Sequence, residues 1–161
     1  MASGNTLVIF TPLHNQPPAA AFATLDVRNA HPVLDFDAAA DEDAVFGSVL
    51  PRHYAGGGLT VTIHWTATSA TTGDTVWNAT IERMNTDLDA DSFPSVQAAT
   101  TTCNATSGII ATTAITFTDG AQMDSLAVGE AFRLKITRDA NAAGDTMAGD
   151  AELHRVEIRE T

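Results

Sequence analysis

Leu59-Thr-Val-Thr-Ile-His-Trp65 sets an apolar side chain at every second position, and Thr113-Ala-Ile-Thr-Phe117 and Phe132-Arg-Leu-Lys-Ile136 repeat the pattern. A period of two is that of a strand buried on one face only. Working outward, further strand segments read at Thr6–Phe10, Ala21–Val27, Pro32–Phe36, Ala44–Leu50, Thr75–Met84, Val96–Cys103, Ile109–Thr118 and Ala151–Arg159. The turn residues between them come at the spacing of an all-β protein. The expected fold is an antiparallel, jelly-roll-like sandwich of about ten short strands.

Residues 1–161 read as one β-sandwich domain, with 1–20 as an extended N-terminal arm punctuated by Pro12, Pro17 and Pro18. Ser69 to Asp74 carries Thr, Gly and Asp between two patterned segments, which predicts an antiparallel hairpin of Leu59–Ala67 with Thr75–Met84. Ala38 to Asp43 is open to one helical turn, and Gly56-Gly57-Gly58 to a flexible connection. The last segment changes phase: Ala151 and Leu153 share one parity, Val156 and Ile158 the other. Either a bulge near His154-Arg155 or a strand covered on both faces accounts for this.

Hydrophobic residues make up 44% of the chain, enough for a sizeable core, but aromatics only 6%. Trp65, Trp77, Phe117 and Phe132 are therefore its expected large fillers. The formal net charge of -12 repels phosphate backbones and anionic bilayers, so neither nucleic acid nor membrane is an expected partner. Cys103 is the single cysteine, which excludes an intrachain disulfide and a cysteine zinc cage. The opening Met-Ala-Ser-Gly-Asn-Thr lacks the pattern of a secretory leader, so folding in a reducing cytoplasm is expected and the sequons at Asn78 and Asn104 read as chance matches.

Candidate chemistry is sparse. Asp87, Asp89 and Asp91 alternate as oxygen ligands for calcium would, but Ser92 and Ala98 stand where an EF-hand loop needs glycine and glutamate. Asp35, Asp37, Asp41, Glu42 and Asp43 form a second acidic cluster, read as a solvated surface. His14, His31, His53, His64 and His154 are scattered without zinc-site spacing, and alternation turns His64 away from the face of Ile63 and Trp65. Neither a nucleophile elbow nor a phosphate-binding glycine loop is present. No catalytic, cofactor or metal residue is assigned, and the expectation is a protein without enzymatic activity.

The stretches Leu50-Pro-Arg-His-Tyr-Ala-Gly-Gly-Gly-Leu59, Met123-Asp-Ser-Leu-Ala-Val-Gly-Glu130 with the strand after it, and Asp145-Thr-Met-Ala-Gly-Asp150 with the last strand resemble small jelly-roll virion proteins of tailed bacteriophages, capsid decoration or cement proteins above all. The resemblance implies a structural protein, made in the host cytoplasm and carried on the capsid exterior, that stabilises an icosahedral head by binding the major capsid protein as a homotrimer. The alternative is a carbohydrate- or receptor-binding module of a phage tail or bacterial surface, motivated by the sandwich and the Asp-rich loops. An enzyme on the same scaffold, such as a cupin, is disfavoured because no strand pair clusters His and Glu ligands.

Overall fold

Alternation turns into strands almost segment for segment. The computed structural model describes residues 4–84 and 87–161, so the opening Met-Ala-Ser and the start of the acidic loop, Asn85 and Thr86, lie outside the described residues. In chain order the strands are β1 (Thr6–Phe10), β2 (Thr24–Arg28), β3 (His31–Phe36), β4 (Glu42–Val49), β5 (Leu59–Ala67), β6 (Asp74–Arg83), β7 (Val96–Thr102), β8 (Ala111–Phe117), β9 (Ala131–Arg138) and β10 (Ala151–Glu160). Two single 3-10 turns, Pro12–His14 and Ala121–Met123, are the helical elements among the described residues, and neither was read from the sequence. Ala38 to Asp43 is not helical: it bends and enters β4 at Glu42.

The strands form two antiparallel sheets facing each other as a jelly-roll-like sandwich. The first runs β2-β3-β10-β5-β8, with β1 also on β10; the second runs β4-β9-β6-β7. The predicted hairpin of the fifth and sixth strands does not form. β5 pairs with β10 and β8, while β6 pairs with β7 and β9 in the opposite sheet. Both strands carry a large apolar face, and crossing the sandwich lets Trp65 and Trp77 meet with ring centroids 5.8 Å apart instead of lying side by side in one layer. Gly73 makes the crossing possible, since at φ +102° a Cβ there would stand 2.6 Å from the Met147 Cα.

The phase change in the last strand is a bulge. Leu153 pairs with Trp65 and Arg155 with His64, leaving His154 as the extra residue on β10. Ala151, Leu153, Val156 and Ile158 are all fully buried despite their opposite parities. The bulge also divides the neighbouring edge: β3 pairs with Ala151–Leu153 before it, and β1 with residues 156–159 after it. Beyond β1 the backbone of Asn15 to Ala23 runs along β4, with Gln16 N–H donating to Val45 O and Ala23 N–H to Asp43 O.

The core is aliphatic with few rings, and the four expected fillers Trp65, Trp77, Phe117 and Phe132 are each no more than 1% exposed. Phe36 meets Trp77 edge-on, and Phe10 stacks on Phe46. Arg138, at the end of β9, is fully buried and donates to both carboxylate oxygens of Asp145 and to the carbonyls of Phe36, Met147 and Gly149. The polar loop after β9 is thereby tied to the sandwich.

Candidate functional site

On the outer face of the first sheet, a cavity of about 470 Å³ opens where the β2–β3 hairpin, the bulge of β10, the end of β5 and the β7–β8 loop converge. The hairpin turn is Asn29-Ala30, both residues at positive φ (46° and 65°), the geometry that lets a two-residue loop follow the twist of its strands. This brings Arg28 and His31 side by side as the closing pair. Alternation then sets Arg28, His31 and Val33 on the outer face, because Leu34 and Phe36 occupy the inner one.

Arg28 is the structural keystone. Its Nη1 donates to Glu152 Oε2 at 2.6 Å and to the Ala67 carbonyl at 3.1 Å, and its Nη2 reaches Ser107 Oγ at 3.2 Å. One side chain thus joins β2, β5, β10 and the β7–β8 loop. Gly108 lies so close over the guanidinium that a Cβ would sit 3.0 Å from Nη2, so glycine is what the loop requires there.

The lining of the cavity mixes apolar and polar side chains. Pro32, Val33 and Ile110 supply the apolar part; Thr66, His154 and Arg155 supply donors and acceptors. The bulge matters here, since an extra residue puts His154 and Arg155 in succession on the same outer surface. The His154 ring lies 6.0 Å from that of His64, and its Nε2 is buried without a hydrogen-bond partner. Burial lowers the His154 pKa below the ordinary histidine value, with His64, Arg155 and His31 lowering it further by like charge. The imidazole is therefore neutral at pH 7.

Next to the cavity, toward the other end of β3, the face is acidic. Asp35 has one carboxylate oxygen buried and unpartnered, and burial first, then Asp150, Glu152, Asp26 and Glu42, push its pKa up to about 6. The rest of the cluster read from sequence disperses into local tasks: Glu42 accepts the Asp37 amide, Asp41 binds Asn141, and Asp43 faces Lys135. In the acidic loop the Asp87 carboxylate accepts the amide of Asp89. Among the described residues no three or more His, Cys, Asp or Glu side chains converge as metal ligands, and Asp87, Asp89 and Asp91 form no such group.

Of the histidines, His31, His64 and His154 come together, while His14 is remote and caps the first 3-10 turn by accepting the Thr11 amide. Cys103 is buried, and burial raises its pKa. Trp65 and Trp77 are core, and Tyr54 is buried with its hydroxyl accepting the Gly58 amide, so none of these offers a platform to a ligand. Sequence reasoning missed the cavity because its parts lie as far apart as Arg28 and Glu152. The one local signal was the phase change at His154-Arg155, which marks a place where a strand re-aims its side chains.

Neither a protein-family model nor a curated protein sequence matches the chain. Solved structures do. A 4-O-methyl-alpha-glucuronidase with specificity for decorated arabinogalactans superposes with a TM-score of 0.53 at 9% identity, over 99% of this chain and 18% of that one. An arabinose-bound alpha-L-arabinofuranosidase gives 0.51 at 10% identity, over 91% of this chain and 23% of that one. A xylan-binding module covers 96% of this chain and 97% of its own, with a TM-score of 0.45 and 13% identity. At such identities the likeness is one of fold. This chain corresponds to under a quarter of either enzyme's length.

Proposed function

We propose that this protein is a non-catalytic recognition module that binds a carbohydrate in the cavity on the outer face of its six-stranded sheet. The observation carrying this reading is the cavity's make-up. A sugar ring has apolar C–H faces and a polar edge, and here the lining combines apolar Pro32, Val33 and Ile110 with polar Asn29, Thr66 and Arg155. The bulge presents His154 and Arg155 in succession to this cavity. Because the groups sit on strands cross-linked by Arg28, they need little reordering on binding. No nucleophile–base pair accompanies them, so recognition rather than bond cleavage is the reading. The test is a glycan array with the full chain, followed by titration of a bound sugar against its amide NMR spectrum. Shifts confined to Thr66, Gly108, His154 and their neighbours support the site; shifts elsewhere, or no glycan bound, reject it.

A second reading, decoration of an icosahedral phage capsid as a symmetric oligomer contacting the major capsid protein, rests on another surface. Leu13, Phe22, Leu25 and Val27 are 69, 45, 54 and 62% exposed, and three of them line or border an apolar recess of about 320 Å³ with Pro12 and Pro17. Apolar side chains gathered at an edge strand suit a protein partner. A trimer by light scattering, dissociated by Leu25→Glu, supports this reading; a monomer at high concentration that leaves capsids unlabelled removes it.

A further inference from the structure

The chain carries 20 acidic and 8 basic side chains, so a free positive charge is scarce. Arg28, Arg83, Arg133, Lys135 and Arg138 are each in an ion pair. Of the remaining three, Arg52, Arg159 and Arg155, the one that lines the cavity is Arg155. Its Nη1 donates to the main-chain carbonyl of His154 at 2.7 Å, and among the described residues no carboxylate is within ion-pair distance of it. The groups that act on His154 are His64 from β5, His31 from β3 and Arg155 beside it, all cationic when charged, while Arg28 from β2 arrives already neutralised by Glu152.

We propose, resting on the carbohydrate reading above, that the ligand of this cavity is an acidic saccharide whose carboxylate is bound by Arg155, with His31 beside it in the lining. A guanidinium is the group best shaped for a carboxylate, giving two parallel bonds where an ammonium gives one. The protein's overall negative charge does not forbid this: repulsion from distant carboxylates is screened over about 8 Å at physiological salt. Arg155 is exposed, so its substitution leaves the fold intact.

The experiment is titration calorimetry of the full chain with a galacturonic acid trisaccharide, a sialylated trisaccharide and a neutral galactose trisaccharide. One or both acidic sugars are expected to bind at least about tenfold more tightly than the neutral one, with the difference shrinking as salt rises. Which acidic sugar wins separates uronic from sialic acid. Arg155→Gln is expected to abolish the preference while the melting temperature stays unchanged. Equal affinity for acidic and neutral sugars, or a preference surviving in Arg155→Gln, overturns the charge inference and leaves the carbohydrate reading standing. Failure of all three sugars to bind, with the cavity amides unmoved in NMR, overturns both.

Discussion

Removing Arg138 should cost this protein more stability than removing any other cation. All five N–H donors of its guanidinium are in use, two on the Asp145 carboxylate at 3.1 and 2.8 Å and three on the carbonyls of Phe36, Gly149 and Met147. The two side chains are 0 and 2% exposed. In Arg138→Ala the Asp145 carboxylate stays buried with the Val76 amide as its remaining partner, and three carbonyls lose their donor. Stranding one half of a buried pair costs about 3–5 kcal/mol. At about 2–4 °C per kcal/mol for a chain of this size, the melting temperature should fall by roughly 6–20 °C. Urea denaturation and calorimetry measure it. Lys135→Ala is the internal control, because the Lys135–Asp43 pair is partly exposed at 3.7 Å and should give at most about 1 kcal/mol. The double variant Arg138→Met with Asp145→Leu should recover much of the loss, since it leaves no stranded charge. A loss of under about 1 kcal/mol in Arg138→Ala, equal to the control, would refute the reasoning.

Gly73→Ala should destabilise by about 1–3 kcal/mol in urea melts, because its Cβ would stand 2.6 Å from the Met147 Cα at φ +102°, whereas Gly56→Ala at φ +93° meets open space and should cost less. Ala30→Gly should stabilise by up to about 1 kcal/mol, since Ala30 holds φ 65° in the β2–β3 turn; no change or a loss would show the turn to be unstrained. Asp35→Asn should be more stable than the parent at pH 7, and the gap should close as pH falls. The Asp35 pKa is raised to about 6, so the folded state binds the proton more tightly and the parent loses stability as pH rises from about 4 through 6. His154 works the other way: its lowered pKa makes the folded state bind protons less tightly, so His154→Gln should flatten the stability lost as pH falls below about 6.5.

Periodicity tells which side of a strand is buried but not which strand lies beside it. That is why each alternating segment formed a strand, and why Trp65, Trp77, Phe117 and Phe132 proved to be core, while the partnership of β5 with β6 did not follow. A connection such as Ser69 to Asp74 serves a reversal within one sheet or a crossing between two. The deciding contact, Gly73 against Met147, lies 74 residues along the chain. Arg138 was read only as the end of an alternating strand. Nothing local marks it as buried, because its partners Phe36, Asp145 and Gly149 belong to segments that meet only in the folded chain. The candidate site hid for the same reason: a hydrogen bond spanning 124 residues, Arg28 to Glu152, closes one of its walls.

One inserted residue connects the fold to its candidate site. β10 holds the centre of the first sheet, with β5 along one edge and β3 and then β1 along the other. A perfectly regular strand there would alternate strictly, and Leu153 and Val156 could not both face inward. With His154 as the extra residue both are fully buried, and the core stays continuous on either side of the kink. The compensation appears on the outer face, where His154 and Arg155 are presented together against the sheet's otherwise Thr-rich neighbours Thr66 and Thr112. Regular alternation would have sent one of the two into the core, where an unpaired guanidinium is too costly to keep. The irregularity that first showed as a broken pattern in the sequence is thus what makes room for a cation and a donor at one spot on a negatively charged protein.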